Sequence, residues 1–147
     1  MSTEHPKPAP TPCLCNALRQ ADRAVSRLYD EELRGVGLRT TQYSLLRWLR
    51  HAGEVRQRDL GALTSLDETT LTRNLRPLID AGWVALRPGE DRREKLIRLT
   101  DAGAAKLHEA RPAWERAQER LRSRLPKETW STLLELLPEL TQLADTA

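Results

Sequence analysis

A chain of 147 residues is long enough for one domain with a hydrophobic core and short for two. It holds 39% hydrophobic and 31% charged residues, but only 4% aromatics and no Phe, so the core must come from Leu, Val and Ala, which favours helices. The net charge of +3 permits a nucleic-acid partner, and no apolar run approaches the roughly 18 residues that a membrane span needs.

Residues 1–12 carry four prolines, cannot hold a helix and are expected to be a disordered tail. This stretch lacks the apolar centre of a signal peptide, so a cytoplasmic chain is expected, with Cys13 and Cys15 resting as thiols. From Cys13 to about Leu33 the apolar residues Leu14, Leu18, Ala21, Val25 and Leu28 recur at steps of four and three, which predicts a helix ended by Gly35 and Gly37. A second helix is expected from about Thr40 to His51, capped by Thr40 or Thr41, with Leu45, Leu46 and Leu49 on its apolar stripe. An extended piece around Val55, a two-turn helix with Leu60 and Leu63, and a tight connection from Thr64 to Asp67 follow. A longer helix to Ala81 comes next, with Gly82 as its stop, and the pair has the shape of a helix-turn-helix.

After Gly82 the period changes to two. Trp83 to Arg87 and Lys95 to Leu99 read as strands joined by a charged tip, Pro88 to Glu94, a hairpin placed as a wing. Thr100 caps a long helix to about Arg124, with Leu107, Ala110, Trp114, Ala117 and Leu121 at heptad-like spacing. Pro126 opens a last helix with Leu133, Leu137, Leu140 and Leu143 on one face, and Pro112 and Pro138 are expected to kink these helices. Neither terminal seam is expected to have a large partner within one subunit, so a dimer built from the terminal helices would bury them. The expected architecture is mainly α with a β-hairpin wing: a winged helix-turn-helix over 40–99, with dimerisation helices at 13–39 and 100–147.

On a helical wheel, Leu71, Leu75, Leu78 and Ile79 cluster on one side of the longer helix, opposite Thr69, Thr70, Arg73, Arg76 and Pro77. An apolar back with a Thr/Arg front suits the major groove, where Arg gives bidentate contacts to guanine and Thr reaches phosphate or base edges. Arg92 and Arg93 at the wing tip suit a narrow minor groove, backed by Arg87, Lys95 and Arg98 on the strands, and Asp91 is expected to hold a neighbouring Arg. Either feature alone fits an ordinary solvated, charged surface; their order and spacing together favour double-stranded DNA as partner. A non-specific architectural DNA binder is the competing reading, and a winged helix used for protein contact is disfavoured by so many arginines. No Gly-rich phosphate loop, Gly-x-Ser-x-Gly elbow or metal-spaced His pair is present, so neither enzyme chemistry nor a cofactor is expected; His5, His51 and His108 read as isolated surface residues.

These residues resemble the MarR-type regulators. The resemblance is carried by Leu66-Asp67-Glu68-Thr69-Thr70-Leu71-Thr72-Arg73, then Leu78 and Gly82, then Asp91-Arg92-Arg93, and finally Leu99-Thr100-Asp101-Ala102-Gly103. It spans roughly 14–145 and implies a homodimer made from the first and last helices. It further implies a recognition helix in each major groove of a palindromic site, a wing in each flanking minor groove, and a repressor released by a small molecule or an oxidant. Pro77 departs from this picture, because it frees the Arg73 carbonyl and should bend the recognition helix.

Two signals are candidates. A thiolate is favoured at a helix N-terminus and by Arg19 one turn beyond Cys15, which makes Cys15, with Cys13 beside it, a candidate redox sensor. The hydroperoxide-sensing branch of the resembled family implies a reactive Cys at this place held by tyrosines, of which Tyr29 matches one, whereas Arg19 and Thr40 stand where that branch carries tyrosine. The resemblance also implies a small aromatic acid between the dimer helices and the reading head, with Trp48, Trp114 and nearby arginines to receive it.

Overall fold

The computed structural model describes residues 7–146; the first half of the expected tail, with His5, lies outside them. Residues 7–13 are exposed and form neither helix nor strand. Six α-helices follow among the described residues: α1 (Leu14–Leu33), α2 (Thr40–Ala52), α3 (Gln57–Thr64), α4 (Glu68–Asp80), α5 (Asp101–Arg122) and α6 (Lys127–Asp145), with a 3-10 turn at Arg34–Val36 after α1. Three strands are interleaved: β1 (Val55–Arg56), β2 (Val84–Pro88) and β3 (Lys95–Leu99). Among the described residues, no helix is long and apolar enough to cross a membrane.

The core sits where α2, α4 and α5 meet the sheet. Leu33, Leu45, Leu46, Leu49, Leu60, Leu71, Leu75, Leu78 and Ile97 are its largest fully buried side chains. Each contributes roughly 1.5–3 kcal/mol over its exposed state, which makes the leucine stripes of α2 and α4 the main source of stability. The α4 boundaries are both chemical. Asp67 caps the start, its Oδ1 accepting from Thr70 N at 2.8 Å. At the end, Gly82 takes φ 79°, and Trp83 N donates back to Leu78 O at 3.0 Å.

The structure corrects three expectations. The extended piece at Val55 is a true strand: β1 pairs antiparallel with β3, Val55 opposite Ile97 and Arg56 opposite Leu96, giving a three-stranded sheet of order β1-β3-β2. A two-residue strand has no periodicity to announce it. Neither Thr40 nor Thr41 caps α2; Thr40 N donates to Asp30 Oδ1 of α1 at 2.7 Å, and Gln42 Oε1 accepts from Arg39 N at 3.0 Å. A carboxylate brought by tertiary packing has displaced the local hydroxyl.

The third correction concerns α5. Its seam is covered within the chain, because α1 and α2 pack along it and bury Ala110, Ala113 and Ala117. Trp114 stacks on Tyr43 of α2 with centroids 5.8 Å apart, and the Arg47 guanidinium lies 4.4 Å over the Trp114 ring. Arg120 and Arg116 reach Glu31 and Glu32 of α1 at 2.8 and 3.3 Å. By contrast α6 has no buried residue and leaves Leu133, Leu134, Leu136, Leu137 and Leu143 exposed, as α1 leaves Leu14 and Leu18.

The start of α5 is pressed onto the end of α4. Thr100 Oγ1 accepts from Gly103 N at 3.0 Å as the α5 cap and donates to Gly82 O at 2.6 Å. Gly103 faces the Trp83 carbonyl so closely that any Cβ there would collide with backbone.

Candidate nucleic-acid interface

The reading head is built by orienting α4 from both sides. Its buried edge, Leu71, Leu75 and Leu78, fixes its rotation about its own axis. Its pitch against α3 is set by the turn between them, where Ser65 takes φ 55° and Leu66 N donates to Gly61 O at 3.1 Å. Gln57 Nε2 of α3 also donates to Thr72 Oγ1 of α4 at 3.1 Å. The face left to solvent carries Thr69, Arg73, Arg76 and Pro77, as expected from the wheel, and α4 runs on through Pro77. Thr70 is half-buried and committed: its Oγ1 donates to Asp67 Oδ2 at 3.0 Å. That pair of bonds holds the Asp67 carboxyl below its ordinary range, so the cap is ionised at neutral pH.

The wing is a pinched hairpin. Gly89 N donates to Glu94 O at 2.8 Å and Glu94 N to Asp91 O at 2.9 Å, so the chain doubles back within four residues. Gly89 is required there because a Cβ would lie 2.9 Å from that of Glu94. Arg92 and Arg93 project at this tip and are exposed. Asp91 supports Arg93, but through the backbone: its Oδ1 accepts from Arg93 N at 3.1 Å, where a guanidinium contact was expected. The two-residue spacing suits an Asx turn better than a side-chain pair.

Two ion pairs that sequence inspection missed tie the wing to the rest of the sheet. The register aligns Arg56, Leu96 and Arg87 across the three strands on the outward face. Glu54, just before β1, takes both ends of the Arg87 guanidinium, with Nε 2.9 Å from Oε2. Arg56 reaches Glu94 at 3.5 Å. The Arg87 bond, with help from the Arg98 field, holds the Glu54 carboxyl below its usual range. The partners are 33 positions apart in the chain, so no local pattern could have named them; the charged flanks of Val55 were the only hint.

The cations therefore sort into two sets. Arg56 and Arg87 are committed to carboxylates, whereas among the described residues Arg73, Arg76, Arg92 and Arg93 take part in no ion pair. The cleft between α3, α4 and the wing, about 910 Å³, mixes Arg58, Arg93 and Lys95 with Glu68, Asp91 and Glu94. Free cations thus stand alone at Arg73, Arg76 and Arg92, whereas in the cleft Arg58, Arg93 and Lys95 share the lining with carboxylates.

The sensor candidates are not brought together within one chain. Cys13 is the extended N-cap residue of α1, Cys15 lies in its first turn, and both are free and exposed. Tyr29 is 14 residues further along the same helix, about 21 Å away. Its hydroxyl donates to Gln118 Oε1 of α5, and burial raises its pKa. The two tryptophans also part company. Trp48 lines a cavity of about 310 Å³ between α1, α2 and the head, while Trp114 is packing against Tyr43 under Arg47.

A helix-turn-helix completed by a three-stranded wing, with free arginines on α4 and at the wing tip, defines a winged helix-turn-helix regulator. The MarR family model matches residues 36–94. The HTH-type transcriptional regulator YwoH of Bacillus subtilis is 34% identical over 65% of this chain and 70% of its own length. The multiple antibiotic resistance protein MarR of Salmonella typhimurium is 32% identical over 78% of this chain and 81% of its own. The chain belongs to the MarR family of transcriptional regulators, which is not a family of enzymes. Its fold is similar to the transcriptional regulator MosR of M. tuberculosis in complex with DNA, with TM-score 0.83, 32% identity, and coverage of 92% of this chain and 98% of that one. It is also similar to a cysteine-to-serine mutant of MarR from E. coli complexed with operator DNA, with TM-score 0.77, 27% identity, and coverage of 86% and 92%.

Proposed function

We propose that this chain is a homodimeric, sequence-specific transcription repressor that binds a palindromic operator in double-stranded DNA. The observation that carries the reading is the set of uncommitted arginines, with Arg73 and Arg76 on the open face of α4 and Arg92 and Arg93 at the wing tip. Two-fold symmetry would set two such heads on half-sites about one helical turn, roughly 34 Å, apart. Thr69 stands beside Arg73 on that face and is free to meet phosphate, whereas Thr70 acts through its backbone and the Asp67 cap. The exposed apolar faces of α6 and the start of α1 support the dimer, since a monomer would leave both in water.

The test is a fluorescence anisotropy titration against DNA from the chain's own upstream region and against sequences selected from a random pool, with excess competitor. Binding that survives competitor, with a symmetric footprint, is the expected result. Affinity independent of sequence would favour the architectural reading instead. Arg73→Ala should cost roughly 1–3 kcal/mol and relax preference at one position. Arg93→Ala should weaken all sequences alike and lower the salt slope by about 1.

Release is assigned to a small ligand or to thiol oxidation. The exposed Cys15, with Cys13 beside it, supports the second route; the separation from Tyr29 in one chain means that any tyrosine at the thiol must come from the partner subunit. Cys15→Ser should abolish peroxide-induced loss of DNA binding, and an unchanged response would remove the thiol route.

A further inference from the structure

Pro77 stands inside α4, with Leu78, Ile79 and Asp80 still helical beyond it. A proline in that place removes the amide that would bond the Arg73 carbonyl, and its ring crowds the same carbonyl. The helix does not need it as a stop, because Gly82 at φ 79° and the bond from Trp83 N to Leu78 O already end α4. The core does not need it either: Leu75 and Leu78 are buried, whereas Pro77 is exposed. A costly residue has been placed where neither termination nor packing calls for it.

Its surroundings suggest what it does. On the same face stand Arg73 one turn before it, Arg76 beside it and Asp80 three residues on, all exposed. Among the exposed residues of α4, Pro77 alone has a side chain with no polar group. The ring is closed onto the backbone, so a contact through its methylenes costs no rotamer freedom. The face thus offers a fixed apolar patch between cations, and the Arg73 carbonyl, left without an amide from position 77, adds an acceptor beside it.

On base edges in the major groove, the apolar group is the C5 methyl of thymine. A thymine–adenine pair sets that methyl beside the adenine N6 donor, a combination that neither orientation of a guanine–cytosine pair presents. The match between ring and methyl, and between carbonyl and amino group, favours that pair. Position follows from the helix. Arg73 and Pro77 are four residues apart, about 6 Å along the axis, which is roughly two base-pair steps of about 3.4 Å.

We propose that Pro77 is a specificity-determining residue whose ring packs on a thymine C5 methyl group in each half-site, about two base pairs from the guanine read by Arg73. The assignment rests on the DNA-binding reading above, and it adds a base that no arginine would select.

The test uses the full chain and the operator recovered from the random pool. Its thymines are replaced one at a time by deoxyuridine, which removes the methyl group and leaves the hydrogen-bonding edge unchanged. Anisotropy should reveal one thymine per half-site, in that window, whose replacement weakens binding about fourfold, the effect of one buried methyl group. Pro77→Ser, an exposed change that restores the amide, should bind the thymine and uracil operators equally, with circular dichroism unchanged and Tm no lower. A proline that merely shaped the helix gives a different result. Pro77→Ser would then weaken both DNAs alike and keep the fourfold ratio, which overturns the assignment. An operator with no thymine in the window, or one in which uracil changes nothing, overturns it too. In each of those outcomes the wild-type chain still prefers its operator over competitor, so the regulator reading stands. A wild-type chain with no sequence preference sinks both.

Discussion

Helices α5 and α6 follow each other in the chain, are 22 and 19 residues long, and each carry an apolar face and an internal proline. Their environments are opposite. The α5 face is made of alanines at the contact points, and Ala110, Ala113 and Ala117 let α1 and α2 approach until nothing is left exposed there. The α6 face is made of leucines, and Leu134 and Leu143 are 59% and 61% exposed. Small side chains mark a seam that closes within the subunit, because close approach needs them. Large ones left in water mark the seam that the proposed dimer would close. Periodicity alone cannot separate the two cases; side-chain size on the periodic face can.

The contrast can be broken at either helix. The largest effect is expected from Leu133→Asp with Leu137→Asp in α6. Losing two buried leucines at the proposed interface removes roughly 3–6 kcal/mol of association, so dimer dissociation should rise by two to four orders of magnitude. Sedimentation analysis would register this, with helix content unchanged by circular dichroism. A dimer that persists would show that α6 is not its interface. Next in size is Ala113→Leu in α5. Overpacking a closed seam should cost roughly 1–3 kcal/mol, lowering Tm by about 2–10 °C without altering dimer dissociation at low temperature. A change in dimerisation with Tm unaffected would reverse the assignment of the two helices.

The smallest effect sharpens how α5 is held to α1. The Arg120 guanidinium holds the Glu31 carboxyl below its ordinary range, so the ionised form is favoured in the folded state. A depressed folded pKa contributes stability above the unfolded value, near 4, that is lost as pH falls through the folded one. Arg120→Ala should therefore lower Tm slightly at pH 7 and have no effect on Tm at pH 2. Equal effects at both pH values would mean that the arginine acts through its hydrocarbon stem. Glu54→Ala belongs to the same scale of change, but in the wing. It should weaken DNA binding with Tm almost unmoved, and Glu54→Arg with Arg87→Glu should restore more of the affinity than either single change leaves.

What could be read from the chain alone depended on how local its cause was. The register of Leu71, Leu75 and Leu78, the Asp67 cap and the Gly82 stop all act within a turn or two of α4, and they placed the recognition helix to within a residue. Arg73, Arg76, Arg92 and Arg93 could be seen because exposed cations in a polar setting need no partner to be recognised. What stayed hidden depended on distant partners. Asp30 replaces Thr40 as the anchor of the α2 start, and Val55 becomes a strand only because Ile97 is there to pair with it. Glu54 becomes a brace only because β3 brings Arg87 across the sheet.

The junction at Thr100 and Gly103 has a mechanical meaning. With a hydroxyl bonded to both sides and no room for a single methyl group, α4, the sheet and α5 cannot bend where they join. The head and the shaft form one stiff lever. A shaft of 22 residues is about 33 Å long, so a tilt of only 3° at its far end carries the arginine points by roughly 2 Å. In the proposed dimer two such levers share one fulcrum, and a small change there would be magnified into the difference between matching and missing the pitch of the double helix.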